Sequence, residues 1–268
     1  MSNKNLLDHP ADAFSQTILS VGGTGLRELR HPVSAALPAQ ANEQFSRFKI
    51  RLATNDGQKR MARMLVQKMV ATRGYETGGA ATAEGIEAPN QLTLVVSDSK
   101  ERPRGTMSMI FDTGQGLPAD EIFRDLLRPL RQQGSRLIEI GRLAVDGSEG
   151  SKRLFAGMVH IFLIYATVIH RYTDWIIEVN PRHVRYYEKM LGMEVLSEVR
   201  QACGEGTAAV LMRIQLCAML ERAQALGGQG SMVAGERDLH HNFRLYRYFL
   251  CKEDARGIAH RLLSEHWL

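Results

Sequence analysis

Residues 137–166 read LIEIGRLAVDGSEGSKRLFAGMVHIFLIYA, and the reading of this stretch decides the fold. Leu137, Ile138, Ile140, Leu143 and Val145 are apolar and mostly β-prone, which predicts a strand. A turn of small and charged residues follows, Asp146-Gly147-Ser148-Glu149-Gly150-Ser151. From about Lys152 to His170 a long apolar helix is expected. Strand, small-residue turn and helix together offer free backbone N–H groups at the helix N-terminus, where a phosphate or another acceptor-rich group is received. Glu139 and Arg142 interrupt the strand just before the turn. Charges inside a sheet are costly unless they are paired or used.

Toward the C-terminus, Asp174 to Asn180 (DWIIEVN) reads as a strand buried on both faces. Pro181 opens a helix that Gly192 ends, and Met193 to Arg200 and Thr207 to Leu216 are two closing strands. From about Cys217 the chain is helical in amphipathic pieces, broken by GGQGS at residues 227–231. Toward the N-terminus, Pro118 to Gln133 is a helix with Ile122, Leu126, Leu127 and Leu130 inward. Gln91 to Asp98 and Arg102 to Asp112 form a hairpin. Phe48 to Thr54 is a strand, and Asn55 or Asp56 caps a helix to about Arg73. Met61, Met64, Leu65, Lys68 and Met69 define one face of that helix. Gly74 to Asn90 is a loop by composition, either a mobile substrate cover or plain disorder.

The organisation expected is a poorly ordered or loosely packed lead at 1–44, one domain at 45–216 and a helical C-terminal extension at 217–268. The order β-α-β-β-α-β-α-β-α-β-β makes the fold class α/β, a mixed central sheet with helices on both faces.

Composition bounds the partners. Lys plus Arg number 34 against 29 Asp plus Glu, a net charge of +5. This mild excess suits an acidic partner or a phosphate-bearing ligand without implying nucleic acid. The run FRLYRYF at 243–249 reads as aromatics packing on the domain, so no nucleic-acid partner is expected. Cys203, Cys217 and Cys251 are too far apart for a paired-cysteine metal site. His240 and His241 beside Glu236 and Asp238 match no ligand spacing, so no metal is expected. Few cysteines and no apolar signal core at the N-terminus place the chain in the cytoplasm. Leu154 to Ile169 is apolar except for His160, Tyr165 and Thr167. It falls short of the ~20 residues of a membrane span and reads as a buried core helix, leaving no transmembrane segment.

A strand ending at Val145, a Gly-rich turn into a long helix, and VNPRHVRYYEKMLGMEVL (Val179 to Leu196) together resemble the GCN5-related N-acyltransferase fold. IEIGRLAV (Ile138 to Val145) resembles the Glu-x-x-Arg motif of autoinducer synthases, which make acyl-homoserine lactones. The whole pattern from about Phe48 to Leu216, with a helix running to Gly74-Tyr75-Glu76, is most similar to the N-acyl amino acid synthases related to them.

That resemblance implies a transferase that moves a long-chain fatty acyl group from a phosphopantetheine thioester to the amine of an amino acid. The donor it implies is acyl-acyl-carrier-protein, with no permanently bound cofactor. Leu143, Ala144, Val145 and Asn180 would bind the pantetheine arm, and Gly147, Gly150, Ser151, Lys152 and Arg153 its phosphate. An ordinary strand–helix turn with solvated charges is the alternative. Asp146 and Glu149 would repel a pyrophosphate, which favours the carrier protein over coenzyme A. Glu139 is the candidate base, and Arg142 would hold it or the acceptor's carboxylate; a structural ion pair is the alternative. The two face one side only if a bulge lies between them, and Gly141 suits one. Tyr187 matches the tyrosine that protonates the leaving thiolate in many members of the wider fold, while Tyr186 is packing. Arg182, Arg185 and Lys189 make a basic stripe along one helix, for a carrier protein's acidic face or simply a solvated one. Rival functions are a coenzyme A-dependent acetyltransferase, an autoinducer synthase acting on S-adenosylmethionine, and a non-catalytic acyl or carrier-protein binding module.

Overall fold

The computed structural model describes residues 19–22, 26–27, 46–72, 90–146, 151–201, 208–228 and 244–266. The Gly74–Asn90 loop but for its last residue, the turn at 147–150, Cys203 and the His240–His241 pair lie outside them.

The expected central strand forms as β6 (Leu137–Val145). Before it come β1 (Leu19–Gly22), β2 (Leu26–Arg27), β3 (Ser46–Leu52), α1 (Asp56–Thr72), β4 (Gln91–Asp98), β5 (Pro103–Phe111) and α2 (Asp120–Gln132). After it come α3 (Ser151–Ile164), β7 (Asp174–Val179), α4 (Val184–Leu191), β8 (Glu194–Val195), β9 (Arg200–Gln201), β10 (Ala208–Gln215), α5 (Leu216–Leu226) and α6 (Lys252–His266). The strands make one ten-stranded sheet in the order β2-β1-β3-β4-β5-β6-β7-β10-β8, with β9 also paired to β10. Among the described residues β6 and β7 are the parallel pair, and the rest of the ladder is antiparallel. A parallel pair needs a crossover, and α3 supplies it.

Two apolar layers sandwich the sheet. On one face Ile138, Ile140, Met107, Met109, Trp175 and Ile177 pack against Leu154, Met158, Phe162 and Tyr165 of α3 and its continuation. On the other, Phe123 and Leu127 of α2 cover Leu137, Ile176 and Leu211, and Leu65 and Val66 of α1 cover Ala144. The helix from Lys152 to Ile169 is long and apolar enough for a membrane, but here it is the core helix beneath the sheet. Its last turn, Tyr165–Ile169, widens to a π-helix.

Several boundaries differ from expectation. Residues of the N-terminal lead enter the sheet, with β1 paired to β3 and β2 to β1. Helix α1 is capped as expected, the Asn55 Oδ1 accepting from the Gln58 N–H at 2.9 Å. Its inward face is Ala62, Leu65, Val66 and Met69, while Met64 is 61% exposed and Met61 also points out. Methionine is apolar but flexible, so its spacing alone misassigns the face. Pro181–His183 is a 3₁₀ turn, and the α-helix proper starts at Val184. Gly192 ends it in the left-handed region at φ +75°, the role glycine serves best. The C-terminal extension is part of the core, with Met219, Tyr246, Phe249, Ile258 and Leu262 buried in the α3 layer.

His160 ties that extension down. It is 4% exposed in the middle of α3. Its Nδ1 accepts from the Leu250 N–H at 3.0 Å, and its ring stacks on Phe249 at 4.8 Å. An accepting Nδ1 requires the neutral ring, and burial lowers its pKa from 6.5 to about 4. The unfolded chain therefore binds the proton first as pH falls. The His160 contribution is complete above about pH 6.5 and is lost as pH drops toward 4. Denaturant titrations of the parent and of His160→Gln between pH 7.5 and 4 should show a weaker pH dependence in the variant, by up to about 3 kcal/mol. Parallel curves would show that the ring does not titrate in this window.

Candidate active site

Strands β6 and β7 pair only at Leu137–Asp174, Ile138–Trp175 and Glu139–Ile176. Beyond that point they part. Ile140 to Val145 stay with β5, and Ile177 to Val179 stay with β10. The sheet thus opens into a wedge whose two sides are unpaired strand edges. Backbone groups along such edges need partners, and an extended ligand with amides can provide them. Leu143, Ala144 and Val145 lie on the β6 side, with Ala144 buried and the other two half-buried. Asn180 lies at the end of the β7 side, where its Oδ1 accepts from the Arg182 N–H at 3.2 Å.

Glu139 sits at the apex of the wedge, 5% exposed, facing α2. Its Oε2 accepts from the Ala119 N–H at 2.9 Å, at the N-terminus of α2. A separate buckle sets that N-terminus. Arg131 grips Asp120 through two hydrogen bonds of 2.6 Å and also bonds Asp112. Asp120 Oδ2 accepts from the Leu117 N–H at 2.7 Å. Burial alone would raise the Asp120 pKa, but Arg131 and the Leu117 N–H outweigh it and hold the carboxyl below its usual range. The loop carrying Ala119 is thereby fixed over Glu139.

Burial raises Glu139 from 4.5 to about 8. The Ala119 N–H opposes this, while the charges of Glu178 and Asp120 add to it. Glu178 is two residues beyond Ile176 on β7, on the same sheet face, across the wedge. Its own pKa is raised by burial and then by Glu121. A carboxyl poised near neutral pH beside an open wedge can take a proton and return it.

Arg142 lies on the same face as Glu139, brought there by a bulge. Ser108 pairs with Gly141 and Thr106 with Ala144, so Arg142 and Leu143 stand opposite Met107 alone. Arg142 itself takes the left-handed conformation at φ +51°, and Gly141 stays regular. A non-glycine residue there is strained, and such positions cluster at functional sites. Glu139 binds Ala119 rather than Arg142, so the expected contact between the two charges is not made. Arg142 lines instead a cleft under α1.

The remaining expected residues divide. Tyr187 is half-buried, packs on the α3 layer and meets Tyr186 edge-on at 5.4 Å. It is on the opposite sheet face from Glu139. Arg185 and Lys189 are exposed on α4, whereas Arg182 belongs to the 3₁₀ turn before it. The basic stripe is therefore not carried by a single α-helix. Lys152 is exposed and Arg153 half-buried in the first turn of α3. Gly147 and Gly150 lie outside the described residues, and Ser151 is described by its backbone alone. Asp146 is paired to Arg104 Nη1 at 2.9 Å, so its charge is already compensated. The repulsion expected against a pyrophosphate then rests on Glu149 alone.

Glu178, Asp120, Arg131 and the Ala119 N–H do not figure in the sequence reading. Glu178 carried the same signal as Glu139, a charge breaking an apolar strand. The Asp112–Asp120–Arg131 buckle joins a strand end to two helix positions and leaves no local mark.

A family model described as N-acyl amino acid synthase FeeM matches residues 61–215, more than half of the chain. Among solved structures, the chain is similar to FeeM, an N-acyl amino acid synthase from uncultured soil microbes, at a TM-score of 0.58 and 24% identity over 65% of this chain and 93% of that one. It is also similar to a GCN5-related N-acetyltransferase from Brucella melitensis, at 0.47 and 13% identity over 75% and 91%. A spermidine N-acetyltransferase from Vibrio cholerae, in complex with CoA and spermine, matches at 0.42 and 17% over 65% and 98%. A search of curated proteins finds no match.

The raised Glu139 pKa carries a stability consequence. Above about pH 4.5 the unfolded chain releases this proton while the folded protein keeps it up to about 8. Its contribution is therefore whole below pH 4.5 and is lost as pH rises toward 8. Glu139→Gln keeps an acceptor for Ala119 without an ionisable proton. Denaturant midpoints should show the variant close to the parent near pH 4.5 and more stable at pH 8, by up to about 4 kcal/mol. A variant less stable than the parent at pH 8 would contradict the burial argument.

Proposed function

The chain belongs to the N-acyl amino acid synthase FeeM family and is an N-acyltransferase, and from that premise we propose that it transfers a long-chain acyl group from an acyl-carrier-protein thioester to the amine of an amino acid. The observation that carries the reading is the buried, near-neutral Glu139 at the apex of the wedge between β6 and β7.

The pantetheine arm would lie along the unpaired β6 edge at Leu143 to Val145 and reach Asn180 across the gap. Backbone N–H groups there would also meet the oxygen of the tetrahedral intermediate. The acceptor arrives as an ammonium, and ionised Glu139 takes its proton directly or through water. The freed amine forms the C–N bond at the thioester carbonyl. The C–S bond then breaks, and the thiolate leaves with a proton for which Tyr187 is the proposed donor. The surplus one of the two protons on the attacking nitrogen departs to water, and the proton held by Glu139 restores the Tyr187 hydroxyl by way of solvent, so the products are an N-acyl amino acid, a free thiol and one net proton. Glu178 raises the proton affinity of Glu139 from across the wedge.

Arg185, Lys189 and Arg182 are exposed cations beside the wedge's β7 side, which suits an acidic carrier. The donor phosphate would meet Lys152 and Arg153 at the start of α3. A cytoplasmic location goes with that donor. The rival donor, coenzyme A, gains ground from the Arg104–Asp146 pair, which removes one of the two acids set against a pyrophosphate.

Mass spectrometry of reactions containing long-chain acyl-carrier protein or acyl-coenzyme A, with mixed amino acids, tests the reading. N-acyl amino acids should form from the carrier-borne donor, and kcat/KM should rise with pH to a limb near 8. Glu139→Gln should lower kcat by roughly 10²–10⁴-fold. Turnover with acyl-coenzyme A alone would overturn the donor assignment, and no acylated amine from either donor would overturn the function.

A further inference from the structure

Strand β7 carries one charge in its interior, Glu178. Asp174 at the start of the strand has a partner, Arg213, at 2.7 Å. Glu178 has none of that kind. It lies on the α2 face of the sheet, beside Ile176 of its own strand and opposite Leu211 of β10. No described residue gives its carboxyl a hydrogen bond or an ion pair. The charges it feels and exerts are those of Glu121 on α2 and Glu139 on β6, both acidic. Two cations on this face are engaged elsewhere. Arg213 holds Asp174 and Glu194, and Arg142 lines the cleft under α1. A half-buried carboxylate among acids is costly, and packing gives no reason for it.

Amine acylation supplies one. An ammonium that becomes an amide nitrogen gives up two protons. Ionised Glu139 takes the first and is then itself protonated, so it cannot take the second. After attack the nitrogen carries two hydrogens and a positive charge. Until one of them leaves, the new C–N bond can break again and restore the thioester. A second base beside the same nitrogen prevents that return. Glu178 stands where this base is needed. It is two residues beyond Ile176, which pairs with Glu139, and so borders the gap just past the apex. Neighbouring strands lie about 4.8 Å apart and two residues advance about 6.6 Å, which puts the two glutamate Cα atoms about 8 Å apart. One nitrogen hydrogen-bonded to both carboxyls needs their oxygens within about 6 Å of each other, and side chains on that spacing can meet the condition.

We infer that Glu178 is a second catalytic carboxylate, which takes the surplus proton from the attacking nitrogen and passes it to water. The inference rests on the amine-acylating reaction proposed above. Glu139 is 5% exposed and Glu178 half-buried, so Glu178 is the one of the two with a route to solvent. Their repulsion sets the order. The charge of Glu178 raises the proton affinity of Glu139, so the first proton goes to Glu139. With Glu139 neutral that repulsion is gone, and Glu178 stays ionised for the second. The N–H bond breaks as the Glu178 O–H bond forms, and the nitrogen becomes neutral. The C–S bond then breaks with the amine retained, and Glu178 gives its proton to water.

The test uses the full-length chain, the donor that turns over and the amino acid that the parent acylates fastest, at about pH 9. Glu139 is mostly ionised there, so a change in its proton affinity leaves the rate nearly unchanged. Glu178→Gln should lower kcat by roughly 10²-fold, with KM for the acceptor close to the parent's. Glu178→Asp, which keeps a carboxylate, should retain more of the rate. Glu178→Ala should be as slow as Glu178→Gln, and added formate or acetate should raise its rate by roughly tenfold. A kcat for Glu178→Gln within about twofold of the parent's would overturn the inference and leave the acyltransferase reading intact. So would equal losses in Glu178→Asp and Glu178→Gln, or a loss in Glu178→Ala that no carboxylate restores, since these mark a merely structural role. A parent that acylates no amine would overturn both.

Discussion

The parting of β6 from β7 after Glu139–Ile176 is the constraint on which the site depends. A closed ladder would satisfy both strand edges and leave no room for an extended substrate. The wedge instead leaves backbone donors and acceptors facing each other across a gap. What keeps it open is the packing on either side. β5 holds β6 as far as Val145, β10 holds β7 as far as Val179, and the largely apolar α3 crosses beneath the parallel pair. Neither strand can swing toward the other without breaking an antiparallel ladder.

Glu139 exploits that geometry. It lies where the ladder ends, under the N-terminus of α2, close enough to Glu178 and Asp120 to feel their charge. The Asp112–Asp120–Arg131 buckle holds α2 in place, so the carboxyl is kept in surroundings that disfavour its ionised form. The protein accepts lower stability at neutral pH for a group that can exchange a proton there. His160 titrates in the opposite sense on the other face, and its loss at low pH affects the C-terminal extension. The site and its support thus fail at opposite ends of the pH range.

Much of the fold was legible in the sequence. Leu137–Val145 and Gln91–Asp98 form with the expected ends, because β-branched runs bounded by turn residues leave little choice. The apolar run after residue 151 reads as a buried core helix, and its place between sheet and C-terminal extension is that of one. The strands at Leu19–Gly22 and Leu26–Arg27 were hidden, since they are short edge additions defined by pairing with β3 rather than by pattern. The site was only partly legible. Glu139 stood out as a charge in a strand, yet its partner turned out to be a backbone N–H twenty positions away. The bulge was anticipated at Gly141 and formed at Arg142, because pairing with Ser108 keeps the glycine regular. The cleft under α1 is lined by residues of α1, a hairpin and β6, and no local pattern reports such a meeting.

The central claim is that Glu139 holds a proton at neutral pH beside the wedge. Side-chain carboxyl NMR of the folded protein, assigned with Glu139→Gln, reads that directly. The account predicts a Glu139 midpoint near 8, falling toward the ordinary carboxylate range when Glu178 and the α2 buckle are removed. A midpoint near 4.5 in the intact protein would contradict it.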